Sequence, residues 1–441
     1  MGGGGRLNLF QRMMLRWRDL HPYNPVHVVR VPAALEPERL RGCIAQRLEV
    51  LGLTGLSIDR SRWRFHFDGG PADVQLSVAT AGGDAMAALS RTIEREFNQP
   101  FPQGQRENPF RFVAIDEGDA FQLVLAYDHY VASGDSIARL LSGMACAYIG
   151  ADEQPAPMER YSSTYRNLLL RHPLWVMRSI LGLVRLVAAT RHAYRSRYDK
   201  GQEGKVEDGH NAFTYLRLTS PQHDTLLATA KAWGITVSEL LMASLMLALS
   251  PLAAQRRREP RRNELAIASI LNMRADFGAG ALDALSPFLA AFRVAHQVPE
   301  GIGVHELATY VHKEAARIRR DHLYLQSIMA LGVSALLWPW LSVSKRHGLY
   351  SKHFPAWAGM TSLNLSPIWA RSACAGTARL DYLRAVPTGP LCPLVFAVTR
   401  THKLLHIGIA YRTAALSRGQ VDQLAGAFLQ VIDHLPMEPS A

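Results

Sequence analysis

The apolar residues of this chain follow two rhythms, and the two alternate through both halves. Leu40, Ile44, Leu48 and Leu51 recur at helical spacing and predict an amphipathic helix over residues 35–51. Alternation at 63–67 and 74–78 predicts strands, and 85–97 returns to the helical period. The continuous apolar run 121–126 reads as a buried strand. Behind it, Ile137, Leu140, Leu141, Met144 and Tyr148 repeat at helical spacing, with Ser136 as the expected N-cap. In the second half, 213–218 predicts a strand. Ser220-Pro221 then opens a helix that Gly234 closes, since proline suits the first helical position. Thr236-Val237-Ser238-Glu239 is a capping-box pattern ahead of an apolar helix over 240–249. Strands at 265–271, 394–398 and 404–410 and a last amphipathic helix over 421–435 complete the pattern.

Length and composition turn this pattern into an architecture. A chain of 441 residues is long for one core, and two domains of roughly 200 residues each are expected. The polar, glycine-rich run from Lys200 to Gly209 reads as the linker, which sets the domains at 6–200 and 201–441. Hydrophobic residues make up 48% of the chain, ample for burial. Met1-Gly2-Gly3-Gly4-Gly5 reads as a flexible start, and the charged segment after it is no signal-peptide core. Cys43, Cys146, Cys374 and Cys392 make no CxxC pair and no zinc spacing, which predicts reduced thiols in a cytoplasmic protein. The apolar stretch 328–343 is interrupted by Pro339 and is too short to span a membrane, so it reads as a core helix.

One stretch carries candidate chemistry: Tyr127-Asp128-His129-Tyr130-Val131-Ala132-Ser133-Gly134-Asp135-Ser136. His129 falls where the 121–126 strand hands over to the following helix, in a short turn containing Gly134. Such a position holds an imidazole rigidly at a cavity wall. Histidine titrates near neutrality and can take a proton from a hydroxyl or amine nucleophile. A histidine that only packs or caps is the plain alternative. The sequence has no GxSxG elbow and no metal-ligand cluster to point to other chemistry.

The stretch resembles the HHxxxDG signature of the CoA-dependent acyltransferase superfamily, which includes chloramphenicol acetyltransferase and the condensation domains of nonribosomal peptide synthetases. His129 falls on the second, catalytic histidine and Gly134 on the glycine. Asp128 takes the place of the first histidine and Ser133 that of the aspartate. Further segments resemble the family in the expected order. They begin with Leu9-Phe10-Gln11, Tyr23-Asn24-Pro25 and Leu35-Glu36-Pro37-Glu38-Arg39-Leu40. Asn98-Gln99-Pro100-Phe101 and Asn108-Pro109-Phe110-Arg111-Phe112 resemble the segment whose arginine meets the motif aspartate. Ile270-Leu271-Asn272-Met273-Arg274 is similar to the "VNxR" strand, and Leu285-Ser286-Pro287-Phe288 to Phe292-Arg293-Val294 follows it. Thr361-Ser362-Leu363-Asn364-Leu365-Ser366 is similar to the late "SNLG" segment near the active-site tunnel.

The resemblance implies an α/β fold of two chloramphenicol-acetyltransferase-like lobes. Each is a mixed sheet flanked by helices, with the active-site tunnel between them. It implies transfer of an acyl group from a thioester, on CoA or an acyl carrier protein, to a hydroxyl or amine acceptor, with His129 as general base. Asn272, Arg274, Ser362 and Asn364 become the tunnel residues, and no metal or other resident cofactor is implied. Loss of the motif aspartate raises an alternative: a catalytically degenerate relative that binds a lipid or carrier protein. It also leaves Arg111 in need of a counter-charge, and Asp128 or Asp135 is expected to supply it.

Charge narrows the partners. The net charge is +12, with basic clusters at Arg12, Arg16 and Arg18, at 256–262 and at Arg317, Arg319 and Arg320. Such a field attracts polyanions. No helix-turn-helix, zinc-finger or RNA-binding pattern accompanies it, so a carrier protein, CoA or an anionic membrane fits better than nucleic acid. Arg171, Arg178, Arg185 and His192 recur every seven residues within the apolar segment 168–198 and form one basic stripe on a helix. Two readings stay open: a packed helix with a solvated basic edge, or an interfacial helix on anionic lipid or at the entrance for an acyl chain.

Overall fold

The computed structural model describes residues 3–150, 165–192, 209–278, 284–347, 356–369, 380–390, 392–401 and 404–436. The expected linker lies outside them, apart from Gly209. The strands are β1 (Gly3–Arg6), β2 (Val26–Val31), β3 (Leu56–Asp59), β4 (Arg64–Phe67), β5 (Leu76–Thr80), β6 (Phe110–Asp116), β7 (Phe121–Tyr127), β8 (Asn211–Leu218), β9 (Leu265–Asn272), β10 (Leu289–His296), β11 (Ala358–Asn364), β12 (Tyr382–Ala385), β13 (Leu394–Arg400) and β14 (Leu405–Arg412). They form a small sheet β1-β4-β3 and two large ones, β12-β2-β7-β6-β5 and β10-β9-β11-β13-β14-β8. Both large sheets are mixed. β5 runs parallel to β6, and β11 runs parallel to β9 and β13, while the other pairs are antiparallel. The expected two-lobed α/β architecture is the one observed.

The continuous apolar run of β7 is explained by its place in the sheet. Leu123 and Leu125 face a core shared with Leu40, Ile44 and Leu140, whereas Val124 and Ala126 face Leu89, Ile93 and Phe97 of the Ala85–Asn98 helix. A strand covered on both faces needs apolar side chains at every position, not every second one. In the second lobe, the Val237–Leu249 and Arg418–Asp433 helices cover Ile267, Phe396, Ile407 and Ile409. The capping box of Thr236 and Glu239 forms as expected.

Several local expectations change. Gly3–Arg6 is a strand paired with β4, not a loose start, and it lies so close that a side chain at Gly4 would collide with the His66 ring and the Phe65 carbonyl. The 168–198 segment is broken into Tyr165–Arg171 and Pro173–His192 by the proline that starts the second piece, and residues 193–198 lie outside the described residues. The 328–343 segment is not a core helix. Leu325–Leu337 buries only its first turn, and Leu336 and Trp340 are 76% and 87% exposed. Arg256, counted among the surface cations, is fully buried and donates to the carbonyls of Ser250, Ala253 and Val298. Cys43 and Cys392 are free thiols, but Cys146 is disulfide-bonded, so the expectation of reduced cysteines fails there.

The lobes are not separate along the chain. β12 comes from the C-terminal half yet forms the edge of the first lobe's sheet, beside β2. Met273, Phe288, Trp369 and Tyr382 likewise join the first lobe's core. Where the two sheets meet, Gly408 of β14 backs onto the Arg384 carbonyl of β12, and any Cβ at 408 would overlap that oxygen. Gly408→Ala is therefore expected to force the sheets apart and to destabilise the protein by about 1–3 kcal/mol. The urea midpoint should fall accordingly; an unchanged midpoint would show that this seam carries no packing constraint.

Candidate active site

β7 runs into a tight turn in which the Val131 N–H donates to the Asp128 carbonyl at 3.0 Å. The Gly134–Tyr148 helix follows, and its N-cap is Ser133, not the expected Ser136. Ser133 has the extended backbone of an N-cap (φ −93°, ψ 165°), but its hydroxyl makes no capping bond. That hydroxyl donates instead to Asp135 Oδ1 at 2.6 Å and accepts from Arg274 Nη2 at 2.7 Å.

Arg274 is the hub of the loop. It sits just past the end of β9, 4% exposed at its side chain. Its guanidinium donates to the Ser133 and Ser136 hydroxyls and to the Ala284 carbonyl, and it forms an ion pair with Asp135 Oδ2 at 3.3 Å. Asn272 donates to the same Asp135 oxygen at 2.9 Å. The expected tunnel residues Asn272 and Arg274 thus act on the histidine loop directly. A serine at the motif's aspartate position does not leave the loop without a negative charge. Asp135, two residues on, supplies the carboxylate, and Arg274 is its partner.

The expectation that Asp128 or Asp135 neutralises Arg111 is not met. Residues 111, 113 and 115 of β6 share the face covered by the Ala85–Asn98 helix. Arg111 therefore reaches that helix and pairs with buried Glu96 at 2.8 Å, while donating to the carbonyls of Gln99 and Pro100. Asp128 pairs with Arg18 at 2.5 Å, and Arg18 also holds Glu107 at 3.0 Å. Burial lifts the Asp128 carboxyl to about 6, with Glu107 adding to the rise against the opposing pull of Arg18. Both aspartates brace the loop, each through a different arginine.

His129 itself is buried, 8% exposed, with its ring 5.1 Å from Tyr23 and edge-on to Tyr127 at 6.0 Å. Burial lowers its pKa to about 4, the Arg384 charge pushes the same way, and the backbone at His129 and Ala132 offsets only part of the shift. The imidazole is neutral at pH 7, and its buried Nδ1 makes no hydrogen bond among the described residues.

Two residues of this cluster were not picked out from the sequence. His27 of β2 is fully buried, with Nδ1 2.7 Å from the Tyr382 hydroxyl and Nε2 without a partner among the described residues. Burial, Arg384 and His129 all depress its basicity. Arg384 of β12 donates to Thr399 Oγ1 and to the Thr361 and Val398 carbonyls. Burial lowers it only to about 10, so it stays charged. Gly134 makes this approach possible. A Cβ there would stand 3.0 Å from Arg384 Nη1 and 3.6 Å from the His27 ring. The one available signal for His27 is a polar residue within the apolar run of β2; Arg384 follows an apolar pair in a strand too short to read.

Ser362 and Asn364 are placed differently. Both are exposed, and they line a groove of about 480 Å³ with Lys231, Thr236, Ser238 and Arg400. β11 still touches the histidine cluster, through the Thr361 carbonyl that accepts from Arg384. Among the described residues, no cluster of three or more His, Cys, Asp or Glu is arranged to hold a metal ion.

The network makes an ordered prediction. Asp135→Asn removes a carboxylate paired with the nearly buried Arg274 and should destabilise by about 3 kcal/mol. Ser133→Ala removes only hydroxyl bonds and should cost about 1 kcal/mol. Denaturant titration of the two variants measures the order; equal or reversed losses would refute Asp135 as the substitute carboxylate.

No protein-family model matches the sequence, and no curated protein is significantly similar to it. Solved structures do match over the whole chain. The first condensation domain of the calcium-dependent antibiotic synthetase, in complex with a substrate analogue, superposes with a TM-score of 0.70 at 14% identity, covering 100% of this chain and 98% of that one. The epimerization domain from the third module of tyrocidine synthetase B gives 0.66 at 15% identity, covering 99% and 98%. The SgcC5 protein from Streptomyces globisporus gives 0.65 at 12%, covering 97% of each chain. At these identities the likeness is one of fold: this chain has the condensation-domain fold, with two lobes.

Proposed function

We propose that the chain transfers an acyl group from a thioester, on CoA or an acyl carrier protein, to a hydroxyl or amine, with His129 as the general base. The observation that carries this reading is the neutral His129 imidazole, fixed by the Arg274–Asp135 network beside the charged Arg384. As the acceptor oxygen or nitrogen attacks the thioester carbonyl, His129 takes its proton. The carbonyl becomes a tetrahedral oxyanion, which then collapses and expels the thiolate. The proton passes from His129 to that sulfur. Arg384 is a fixed positive charge in a dry setting, and such a group stabilises developing negative charge far better than a solvated one. Positioned proton transfer of this kind accelerates a reaction by roughly 10²–10⁴-fold.

A binding role is favoured by one specific observation. A base with a pKa of about 4 is weaker than the near-neutral base that suits proton transfer at pH 7. In that reading the same fold binds a lipid or carrier protein and turns nothing over.

One experiment separates the two. Acyl transfer is assayed with acyl-CoA and acyl-carrier-protein donors for the wild type and His129→Ala. Catalysis predicts a loss of roughly 10²-fold or more in the variant, with the melting temperature nearly unchanged. No turnover by the wild type with either donor, or variant turnover within about threefold of the wild type, would overturn the assignment.

The pH profile is a second check. A neutral base is required, so kcat/KM should stay flat through neutrality and fall only as pH approaches 4, not near the ordinary 6.5. Stability should not obscure this limb. His129 has a lowered folded pKa, so its contribution is complete above 6.5 and is lost as pH falls towards 4. Asp128 has a raised one, so its contribution is complete below 3.8 and is lost as pH rises through about 6. The two slopes oppose each other between about 4 and 6. An acid limb at 6 to 7 would count against His129 as the base.

A further inference from the structure

The exposed large hydrophobic side chains of this protein are unevenly spread. Among the described residues, ten of the fifteen lie in two short stretches, 170–181 and 333–343. The helices that carry them pack against each other: Gln326 donates to the Ser179 carbonyl, Ser179 to the His322 carbonyl, and Trp175 stacks on His322 at 3.8 Å. Outward they show Leu174 at 64%, Leu181 at 70%, Leu336 at 76% and Trp340 at 87% exposure. No helix among the described residues is long and apolar enough to cross a membrane, so these side chains belong to no single-helix span.

Charge identifies what covers them. Residues 165–192 contain five Lys or Arg, residues 325–347 contain two, and neither segment contains Asp or Glu. A groove of about 960 Å³ joins the two segments at the Tyr165–Arg171 helix. Its walls include Leu7, Leu169, Leu170, Ile328 and Met329, and Arg6, Arg12 and Arg166 stand around it. Among the described residues, Arg12 donates to the Leu7 carbonyl, and none of these three arginines forms an ion pair. Burial and the neighbouring Arg6 both lower the Arg12 pKa, as crowding of uncompensated cations does. An apolar trough ringed by unmatched cations suits an amphiphile with an anionic head.

We propose that this face docks on an anionic phospholipid bilayer. The exposed leucines and Trp340 enter the interface, and the groove takes one lipid with its phosphate at Arg6, Arg12 and Arg166. This inference does not rest on the acyl-transfer reading.

Flotation of the full chain with vesicles tests it. Binding should be strong to phosphatidylcholine vesicles containing about one-third phosphatidylglycerol, weak to phosphatidylcholine alone, and reduced by salt. Leu181→Asp with Leu336→Asp, both at exposed positions, should abolish it. Arg6→Glu with Arg166→Glu should weaken it by roughly tenfold. Val50→Asp with Val78→Asp, on exposed sites elsewhere, should leave it unchanged. Circular dichroism of each variant confirms that it is folded. Equal binding to both kinds of vesicle, or binding that survives the leucine pair, would overturn the proposal. Dimerisation seen by light scattering and lost in the leucine pair, with no vesicle binding, would assign the face to a second copy of the chain instead.

Discussion

The structure depends most on one buried cation, Arg274. Its cost of desolvation is offset because Asp135, Ser133, Ser136 and the Ala284 carbonyl, among others, converge on it. These partners are 10 to 141 residues away in sequence. An arginine so placed couples the start of the Gly134–Tyr148 helix to the end of β9, and thereby one lobe to the other. His129 is positioned as a consequence. The turn that bears it is anchored behind by Arg274 and in front by Arg18, which grips Asp128.

The cluster around His129 is built by crowding as much as by bonding. His27 and Arg384 come from adjacent strands, one from each half of the chain, and both close on the place a Cβ of Gly134 would occupy. Two buried imidazoles beside a buried guanidinium would be unstable if all three were charged. Burial resolves the conflict by depressing both histidines while the arginine, with its far higher starting pKa, keeps its proton. The result is a pair of neutral imidazoles next to a fixed positive charge. The same seam carries the Gly408–Arg384 contact, so packing of the two sheets and placement of the charge are one constraint.

Most of the fold was legible in the sequence because it rests on local periodicity. β7, the Pro37–Val50 helix and the capped Val237–Leu249 helix follow from apolar spacing and capping residues. The His129 loop was legible too, as a polar turn between a strand and a helix. What periodicity could not show was exposure of a greasy helix. The segment from Leu325 looks the same in sequence whether or not a neighbour covers it, and its outer face was read as core.

The sequence by itself determined the elements, their order and the loop that carries the imidazole, since each depends on residues within a turn or two of one another. Tertiary structure alone decided the partners. Arg111 faces Glu96 because of the side of β6 it occupies, and Arg274 reaches Ser133 because β9 ends beside the helix start. β12 crosses into the other half's sheet and brings Arg384 to His27 and Gly134. Alternation along a strand fixes which face a side chain takes, but the charge it meets there is set by another strand far away in the chain, and long-range pairing leaves no periodic trace.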